Sequence, residues 1–408
     1  ERLRPLVESF LPSHVTFHLV QEGALTPTAD GDPSQLEQLL MNLVTNAAEA
    51  IGGEGKIPIR TAGHSGDLPV PGWTDEYEWQ GYLPFADLPN AYNPPEGYIV
   101  TANNAVVGPG YPISISRSWD YGYRARRIVD MIEAAPGPID LAYVQHMQAD
   151  GLNLNARALL PAVLQLSLPA ADARLAPAIK LLADWDGQQG AGSPGAALFE
   201  SFWQNLLAVT FHDNLDEHAW PGGGDRWFVV VGRLLDQPQS AWWDDATTAA
   251  VETRDEMLVR ALRAAVDELA ARQGADPAGW AWGELHTVTF RNQSLGESGI
   301  APIEALFNRG PYVTSGSDSV VNATSWSAVA PYEVRWLPSM RMIVNLVDLP
   351  GSLLIHTTGQ SGHAFHRHYA DMSEPWSSVE YAPLLWERSQ VEAGAHDTLR
   401  LSPAPPAD

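Results

Sequence analysis

Three features are absent or scarce in this 408-residue sequence: cysteine, basic residues and long apolar runs. The absence of cysteine excludes disulfides, thiolate catalysis and thiolate-bound zinc, and it leaves the redox compartment open. Lys and Arg number 24 against 49 Asp and Glu, which gives a formal net charge of −25. Because nucleic-acid backbones and anionic membrane surfaces repel such a chain, we expect neither as a partner.

No uninterrupted apolar run approaches the roughly 20 residues that span a bilayer. The opening residues, Glu1-Arg2-Leu3-Arg4, lack the apolar stretch of a secretory signal peptide. The sequence therefore predicts a soluble chain without an export signal, and the compartment stays undetermined. With 45% apolar residues, the chain is long enough for one large domain or two to three smaller ones.

The first 62 residues differ in character from the rest. Segment 32–51 opens with a helix start signal, Asp-Pro-Ser, and its apolar residues recur with the spacing of a helix that has one buried face. Asn42 and Asn46 lie four residues apart on that helix, so their amides point to one side. The pattern resembles the asparagine helix that holds magnesium and ATP in sensor histidine kinases. Residues 1–62 are therefore expected to be a fragment of a histidine-kinase-like ATP-binding domain.

The kinase-like segment lacks the other parts of a nucleotide site. It has no Asp-x-Gly-x-Gly loop, no glycine-rich lid and no phosphorylatable histidine in a helical hairpin. We therefore expect no ATP binding. A fragment of a two-component sensor histidine kinase remains the alternative interpretation of the whole chain.

A second pattern lies in residues 92–104, an extended stretch that ends in the adjacent amides of Asn103 and Asn104. About twenty residues later comes an arginine-rich segment, 123–128, with helical periodicity. Hydrolysis of an amide passes through an oxyanion, and one fixed donor aimed at it contributes about 3 to 4 kcal/mol. An asparagine side chain provides such a donor. The alternative interpretation is an Asn-Asn turn that closes a strand.

These two segments, together with several downstream motifs, resemble the penicillin acylase (penicillin amidase) family over about residues 66–403. The other motifs are Asp-Trp-Asp-Gly at 184–187, Trp-Ala-Trp-Gly-Glu-Leu-His at 280–286, Ser-Met-Arg-Met-Ile-Val at 339–344, Gly-Gln-Ser-Gly at 359–362 and His-Tyr-Ala-Asp at 368–371. The resemblance implies a family region over residues 63–408 with an αββα N-terminal-nucleophile hydrolase sandwich. Periodicity alone predicts only an α+β fold.

The resemblance implies a hydrolase that removes an acyl group from a small-molecule linear amide, such as a β-lactam or homoserine-lactone amide. Asn103 matches the family's oxyanion donor, and Asn104 is the less favoured choice. Arg124 lies where the family keeps an arginine near the nucleophile's amino group, and its guanidinium offers five donors in a fixed fork. Arg126 and Arg127 are interpreted as helix-surface residues.

The family's nucleophile is an amino-terminal serine whose α-amine, with a pKa of about 8, acts as its base. Residue 1 of this sequence is Glu1, and we find no Gly-Ser-Asn or Cys-Ser-Asn cleavage point. We therefore expect this chain by itself to be inactive, with a missing upstream acylase segment as its partner. We also expect exposed sheet surface that the segment would cover. A non-catalytic remnant is a further alternative.

Histidines at 363, 366 and 368 have a spacing at which imidazoles can share zinc. Because no carboxylate completes a metal motif, a surface loop is the preferred interpretation. The resemblance implies no cofactor other than calcium, and it implies a periplasmic location. A Ser-His-Asp triad is not proposed, since the sequence has no Gly-x-Ser-x-Gly elbow.

Hydrophobic periodicity predicts four clear helices and five strands. The helices are expected at 124–134, 156–168, 196–209 and 247–272, and the strands at 98–101, 227–231, 287–290, 341–347 and 353–357. Asp244 and Asp245 are interpreted as the N-cap region of the last helix.

Overall fold

The structure is a computed structural model that describes residues 69–77, 83–113, 115–116, 118–395 and 398–399. Residues 1–62, expected to resemble a kinase domain, lie outside these described residues, and the predicted boundary after residue 62 stays a prediction. The chain divides into two units. The larger one consists of Val100–Ala105 and Ser118–Glu387.

The larger unit combines helices with small sheets, which confirms the predicted α+β class. Its helices are α1 (Tyr123–Glu133), α2 (Leu141–Gln148), α3 (Leu154–Val163), α4 (Leu175–Asp184), α5 (Pro194–Phe211), α6 (Asp225–Leu235), α7 (Arg254–Gln273), α8 (Ala301–Phe307) and α9 (Ser373–Ser377). None of the helices in the described ranges is both long and apolar enough to cross a bilayer.

Helix α5 is the centre of the core. Its first turn is fixed by Ser193, whose side chain accepts a hydrogen bond from Ala196 N, and by Pro194 at the first helical position. Every residue from Gly195 to Trp203 is buried. A helix that is apolar on nearly all sides has to be covered on all sides, and α5 packs against α4 and α7.

Buried tryptophans fill much of the remaining core, and each satisfies its indole N–H. Among the described residues, the fully buried indoles donate to backbone carbonyls at 2.8–3.0 Å. The pairs are Trp203 with Gly223, Trp243 with Gln237, Trp280 with Gly274, Trp282 with Gly316 and Trp376 with Pro338. These rings contribute apolar area without leaving a polar group unpaired in the interior.

Two small antiparallel sheets complete the larger unit. Strand β1 (Thr287–Phe290) pairs with β2 (Arg309–Val313), and β3 (Met340–Ile343) pairs with β4 (Leu353–His356), which pairs with β5 (Ala382–Pro383). Side chains of β3 alternate between a buried and an exposed face. Its exposed face is apolar, since Met340 and Met342 are 51% and 44% exposed.

Several predicted elements agree with the structure. The helices predicted at 124–134 and 196–209 correspond to α1 and α5, and the predicted strand at 287–290 corresponds to β1. The strands predicted at 341–347 and 353–357 overlap β3 and β4.

Other predicted elements were wrong. Segment 227–231 is part of α6 and not a strand, because Phe228, Val231 and Leu234 form one buried helical stripe. No strand forms at 98–101. The helix predicted at 247–272 begins only at Arg254, after a capping box between Thr253 and Glu256.

The smaller unit includes the short helix α10 (Arg388–Gly394) and two turns of 3-10 helix, Asp75–Tyr77 and Phe85–Asp87. Within α10, Arg388 pairs with Glu392 one turn later at 2.7 Å. In the tryptophan- and proline-rich segment of the smaller unit, the side chain of Trp73 is 85% exposed. This unit therefore has little apolar core among its described residues.

Candidate functional site

Asn103 lies in a turn that brings residues 101–105 back against Asp120. Its φ of 63° is in the left-handed region, which asparagine adopts more readily than most residues other than glycine. The backbone N–H of Asp120 donates to Asn103 O at 2.9 Å, and the Asn104 side chain accepts from Ala102 N at 3.0 Å. Asn104 therefore closes the turn, while the Asn103 side chain projects from an exposed position.

Arg124, in the first turn of α1, holds this turn in place. Its Nη2 donates to Ala102 O at 3.0 Å, to Asn103 Oδ1 at 2.8 Å and to Asp120 Oδ2 at 2.8 Å. The side chain is 23% exposed. The structure thus places the two predicted site residues in direct contact, and their catalytic roles stay a prediction.

The contact with Arg124 determines which way the Asn103 amide faces. A guanidinium only donates hydrogen bonds, so the amide oxygen of Asn103 has to be the atom that faces it. Among the described residues, the Asn103 Nδ2 group has no hydrogen-bond partner. This leaves an exposed, oriented N–H donor for a bound group.

Three carboxyl groups surround Arg124. Asp120 is its ion-pair partner, and Asp225, the first residue of α6, accepts a hydrogen bond from Tyr121 N at 2.7 Å. Burial, and then the negative charge of Asp120, raise the pKa of Asp225. Burial raises the pKa of Asp318 to about 6. With Arg124 these carboxyls line one cavity of about 410 Å³.

Arg127 corrects one expectation from the sequence. It is not a helix-surface residue, because its Nε and Nη2 donate to the two oxygens of Asp150 at 2.7 and 2.8 Å. The Asp150 side chain is 1% exposed. Burial alone raises the pKa of Asp150, but hydrogen bonds from Arg127 and Gln188 outweigh it and hold that pKa below its usual value. Arg126 is a surface residue as expected.

Glu200, on α5, is a buried acid that the sequence analysis missed. One carboxyl oxygen accepts hydrogen bonds from Asn153, Gln189 and Ser317, and the other accepts from Trp326 Nε1 at 3.2 Å. Burial raises the pKa of Glu200 to about 8. The sequence did contain one signal, a single acid in the apolar first half of a helix. That signal indicates that Glu200 is buried, but it does not indicate which side chains donate to its carboxyl group.

His286 was part of a quoted motif, but its burial was not predicted. The ring stacks on Trp282 with centroids 4.5 Å apart, and its Nδ1 lies 2.8 Å from Tyr332 O. Because a carbonyl only accepts hydrogen bonds, Nδ1 carries the proton. Burial lowers the pKa of His286 to about 4, so the side chain is neutral at neutral pH.

The histidine loop contains no assembled metal site. His368 Nδ1 lies 2.7 Å from Asp371 Oδ2, while His363 and His366 are exposed. In the part of the chain that the structure describes, no group of three His, Cys, Asp or Glu side chains is placed to hold a metal. The calcium implied by the resemblance stays a prediction.

The sequence matches the penicillin amidase family over residues 41–393. Acyl-homoserine lactone acylase QuiP of Pseudomonas aeruginosa is 29% identical, over 91% of this chain and 47% of that protein. Penicillin acylase 2 proenzyme of a Pseudomonas species is 31% identical, over 86% of this chain and 44% of that protein. A solved penicillin G acylase from Alcaligenes faecalis aligns with a TM-score of 0.48 at 20% identity, over 86% of this chain and 65% of that one.

The chain spans about half the length of the two Pseudomonas relatives. The family match begins at residue 41, inside the segment predicted to be kinase-like. It includes Asn103, Arg124 and the carboxyl groups around them. Since the match extends over most of the sequence, this chain belongs to the penicillin amidase family.

Proposed function

We propose that this chain is part of an amidohydrolase that removes an acyl group from a linear amide. The family and two relatives named as acylases of homoserine lactones and penicillins support this reaction class. We further propose that the two small sheets are parts of an αββα N-terminal-nucleophile sandwich. The observation that carries the site is the exposed Asn103 Nδ2 beside Arg124, which has no hydrogen-bond partner within the described ranges.

In the proposed reaction, a nucleophilic oxygen attacks the amide carbon, and the carbonyl electron pair moves onto the carbonyl oxygen. Asn103 Nδ2 donates a hydrogen bond to that oxyanion, and Arg124 holds the asparagine in place through its Oδ1. Collapse of the intermediate breaks the C–N bond, and the departing amine takes up the proton that the nucleophile lost. Water then attacks the resulting ester and releases the acyl group as a carboxylic acid, which restores the nucleophile. The nucleophile, an amino-terminal serine by resemblance, is not assigned to a described residue, and a periplasmic location stays a prediction.

The test measures amine release from a phenylacetyl amide and from a long-chain acyl-homoserine lactone. The chain is assayed alone and with a separately produced upstream half of a full-length relative. We expect no turnover alone and turnover in the mixture. Asn103→Ala lowers that turnover by about 100- to 1,000-fold, the usual cost of one oxyanion donor. The matched control is Arg126→Ala, on an exposed face of the helix α1 that carries Arg124, and it leaves turnover unchanged.

Two outcomes contradict the proposal at different points. A mixture that forms a complex but releases no amine contradicts the proposed reaction. Turnover that survives in Asn103→Ala contradicts the role of Asn103 as the oxyanion donor. Turnover by the chain alone contradicts only the expectation that it is inactive by itself.

A further inference from the structure

Asp120 contacts the candidate site through three of its atoms. Its backbone N–H donates to Asn103 O at 2.9 Å, its Oδ2 accepts from Arg124 Nη2 at 2.8 Å, and its Oδ1 accepts from Gly122 N at 2.9 Å. The side chain is 14% exposed. Asp120 therefore joins the backbone that carries Asn103 to the guanidinium that faces the Asn103 amide.

The Nη2 group of Arg124 has more acceptors than hydrogens. It carries two hydrogens, while oxygens of Ala102, Asn103 and Asp120 lie 3.0, 2.8 and 2.8 Å from it. At least one hydrogen is therefore shared between two acceptors. The Asp120 oxygen belongs to the ion pair, and a charge-assisted hydrogen bond is about twice as strong as a neutral one. The contact with Asp120 therefore sets the position of Nη2, and the Asn103 amide turns its oxygen towards that position.

The other carboxyl oxygen of Asp120 fixes the start of α1. Its hydrogen bond from Gly122 N closes a local turn of the kind that aspartate favours. Gly122 has a φ of 86°, in the left-handed region that glycine adopts without strain, and α1 then begins at Tyr123. Both oxygens of Asp120 thus act on Arg124, one directly and one through the backbone that carries it.

We propose that Asp120 is a positioning residue for the oxyanion donor, and that its carboxylate keeps Arg124 Nη2 at the Asn103 oxygen. The Asn103 N–H group then has one fixed direction. Without the carboxylate, Nη2 loses its strongest acceptor, and the guanidinium is free to take other rotamers. The meaning of this arrangement for catalysis rests on the proposed function, whereas the orientation of the Asn103 amide does not.

Asp120→Asn removes the contact with Arg124 and keeps the other two. The new side-chain oxygen accepts from Gly122 N, because asparagine closes the same kind of turn as aspartate. The backbone N–H of residue 120 still donates to Asn103 O. The new amide nitrogen faces Arg124, and two donors form no hydrogen bond with each other. This variant therefore separates the carboxylate from the turn that it closes.

The experiment measures the order of the Asn103 side chain and backbone by 15N relaxation, in the full chain labelled with 15N-asparagine. Both signals are assigned by their loss in Asn103→Gln. We expect the Asn103 Nδ2 group to have an order parameter of about 0.85 in the wild type and below about 0.6 in Asp120→Asn, while the backbone N–H stays near about 0.85 in both. The matched control, Asp130→Asn, removes an ion pair of the same length, 2.8 Å, with Arg126 on α1, and it should resemble the wild type.

A mobile Asn103 amide in the wild type, or a rigid one in Asp120→Asn, overturns the proposal, because the carboxylate then does not orient the amide. Loss of order in the Asn103 backbone as well also overturns it, since Asp120 would then hold the turn as a whole. An equal loss of order in Asp130→Asn has the same meaning. Relaxation requires no turnover, so a failure here is distinguishable from a failure of the proposed reaction.

Kinetics in the mixture with the upstream half test the catalytic part. We expect Asp120→Asn to lower kcat by about 10- to 100-fold, the scale that a small misplacement costs, with little change in KM. In the Asn103→Ala background the same substitution should lower kcat no further, because its effect passes through Asn103. An unchanged kcat, or losses that add in the double variant, would contradict the positioning role in catalysis.

Discussion

At the scale of single residues, the larger unit encloses ionisable groups that it keeps uncharged at neutral pH. Glu200 is one of them, with its pKa raised to about 8 by burial. Hydrogen bonds from four neighbouring side chains satisfy its oxygens, yet they do not replace the water that the carboxylate would have when exposed. The protein therefore holds one more proton when folded than when unfolded across part of the neutral range.

This proton makes folding stability depend on pH. In the unfolded chain Glu200 ionises near its usual pKa of 4.5, and in the folded protein near 8. The protonated form of Glu200 contributes its full stability below pH 4.5, and this contribution is lost as the pH rises from there towards about 8. The expected slope is about 1.4 kcal/mol per pH unit, or about 2 kcal/mol between about pH 6.5 and about pH 8.

Urea denaturation of the wild type and of Glu200→Gln across that interval measures the effect. The neutral amide should give a flat profile and the larger stability at the alkaline end. His286 and Asp318 titrate mostly below this interval, and because both groups are present in both proteins, the difference between the two profiles isolates Glu200. Parallel profiles for the two proteins would show that Glu200 does not titrate as described.

At the scale of elements, helix α1 is fixed at two points one turn apart. Arg124 attaches its first turn to the Asn103 turn, and Arg127 attaches the next turn to Asp150 in the loop after α2. The second contact is bidentate and partly buried, so it fixes the rotation of α1 as well as its position. The orientation of Arg124 therefore depends on Arg127, which lies on the same helix.

Arg127→Ala should destabilise the larger unit by about 3 kcal/mol, because it leaves the buried carboxylate of Asp150 without its cation. Arg127→Lys keeps the charge but not the paired geometry, so its stability should lie between those of the wild type and Arg127→Ala. Arg126→Ala is the matched control. Its ion pair with Asp130 is exposed, and its loss should change the free energy of unfolding by less than about 1 kcal/mol. Equal losses for the two alanine variants in denaturation would contradict this assignment.

At the scale of the whole molecule, an apolar strand face favours association of the chain with itself, and a large net charge disfavours it. The exposed side of β3 continues into an apolar segment in which Leu346 and Val347 are 86% and 98% exposed. Such a strand face favours association with other apolar surfaces. The formal charge of −25 repels a second copy of the chain, and salt screens that repulsion. The expectation of exposed sheet surface that a missing segment would cover stays a prediction, and we expect such a chain to be aggregation-prone.

We expect the chain to associate more as salt is raised, and Met342→Glu to reduce that association. Met342 is 44% exposed, and a charge at its position interrupts the apolar face. Val251→Glu adds the same charge at a position that is 80% exposed and outside the sheet, so it controls for net charge. Sedimentation velocity measures the outcome. A monomer at every salt concentration, or equal behaviour of the two variants, would contradict the role of β3.

The sequence by itself was sufficient for features that are encoded within a few neighbouring residues. The periodicity of α1 and α5 follows from their own side chains, although the predicted start of α5 at residue 196 lies two residues after its observed start at Pro194. Asn103 and Arg124 were named from local motifs that resemble one family. The prediction failed for 227–231, because a short apolar run is compatible with a strand or a buried helix until its neighbours are known.

Only the tertiary structure decided which distant groups meet. Tyr121 and Asp225 are 104 residues apart in the sequence, yet they share a hydrogen bond beside Arg124. Asp318 also comes from a distant part of the sequence and lines the same cavity as Arg124. Glu200 likewise accepts a hydrogen bond from the distant Ser317. A pKa depends on burial and on charges a few ångströms away, and both are properties of the folded chain. The sequence thus determined the candidate donor and its arginine, while folding determined which carboxyl groups meet beside them.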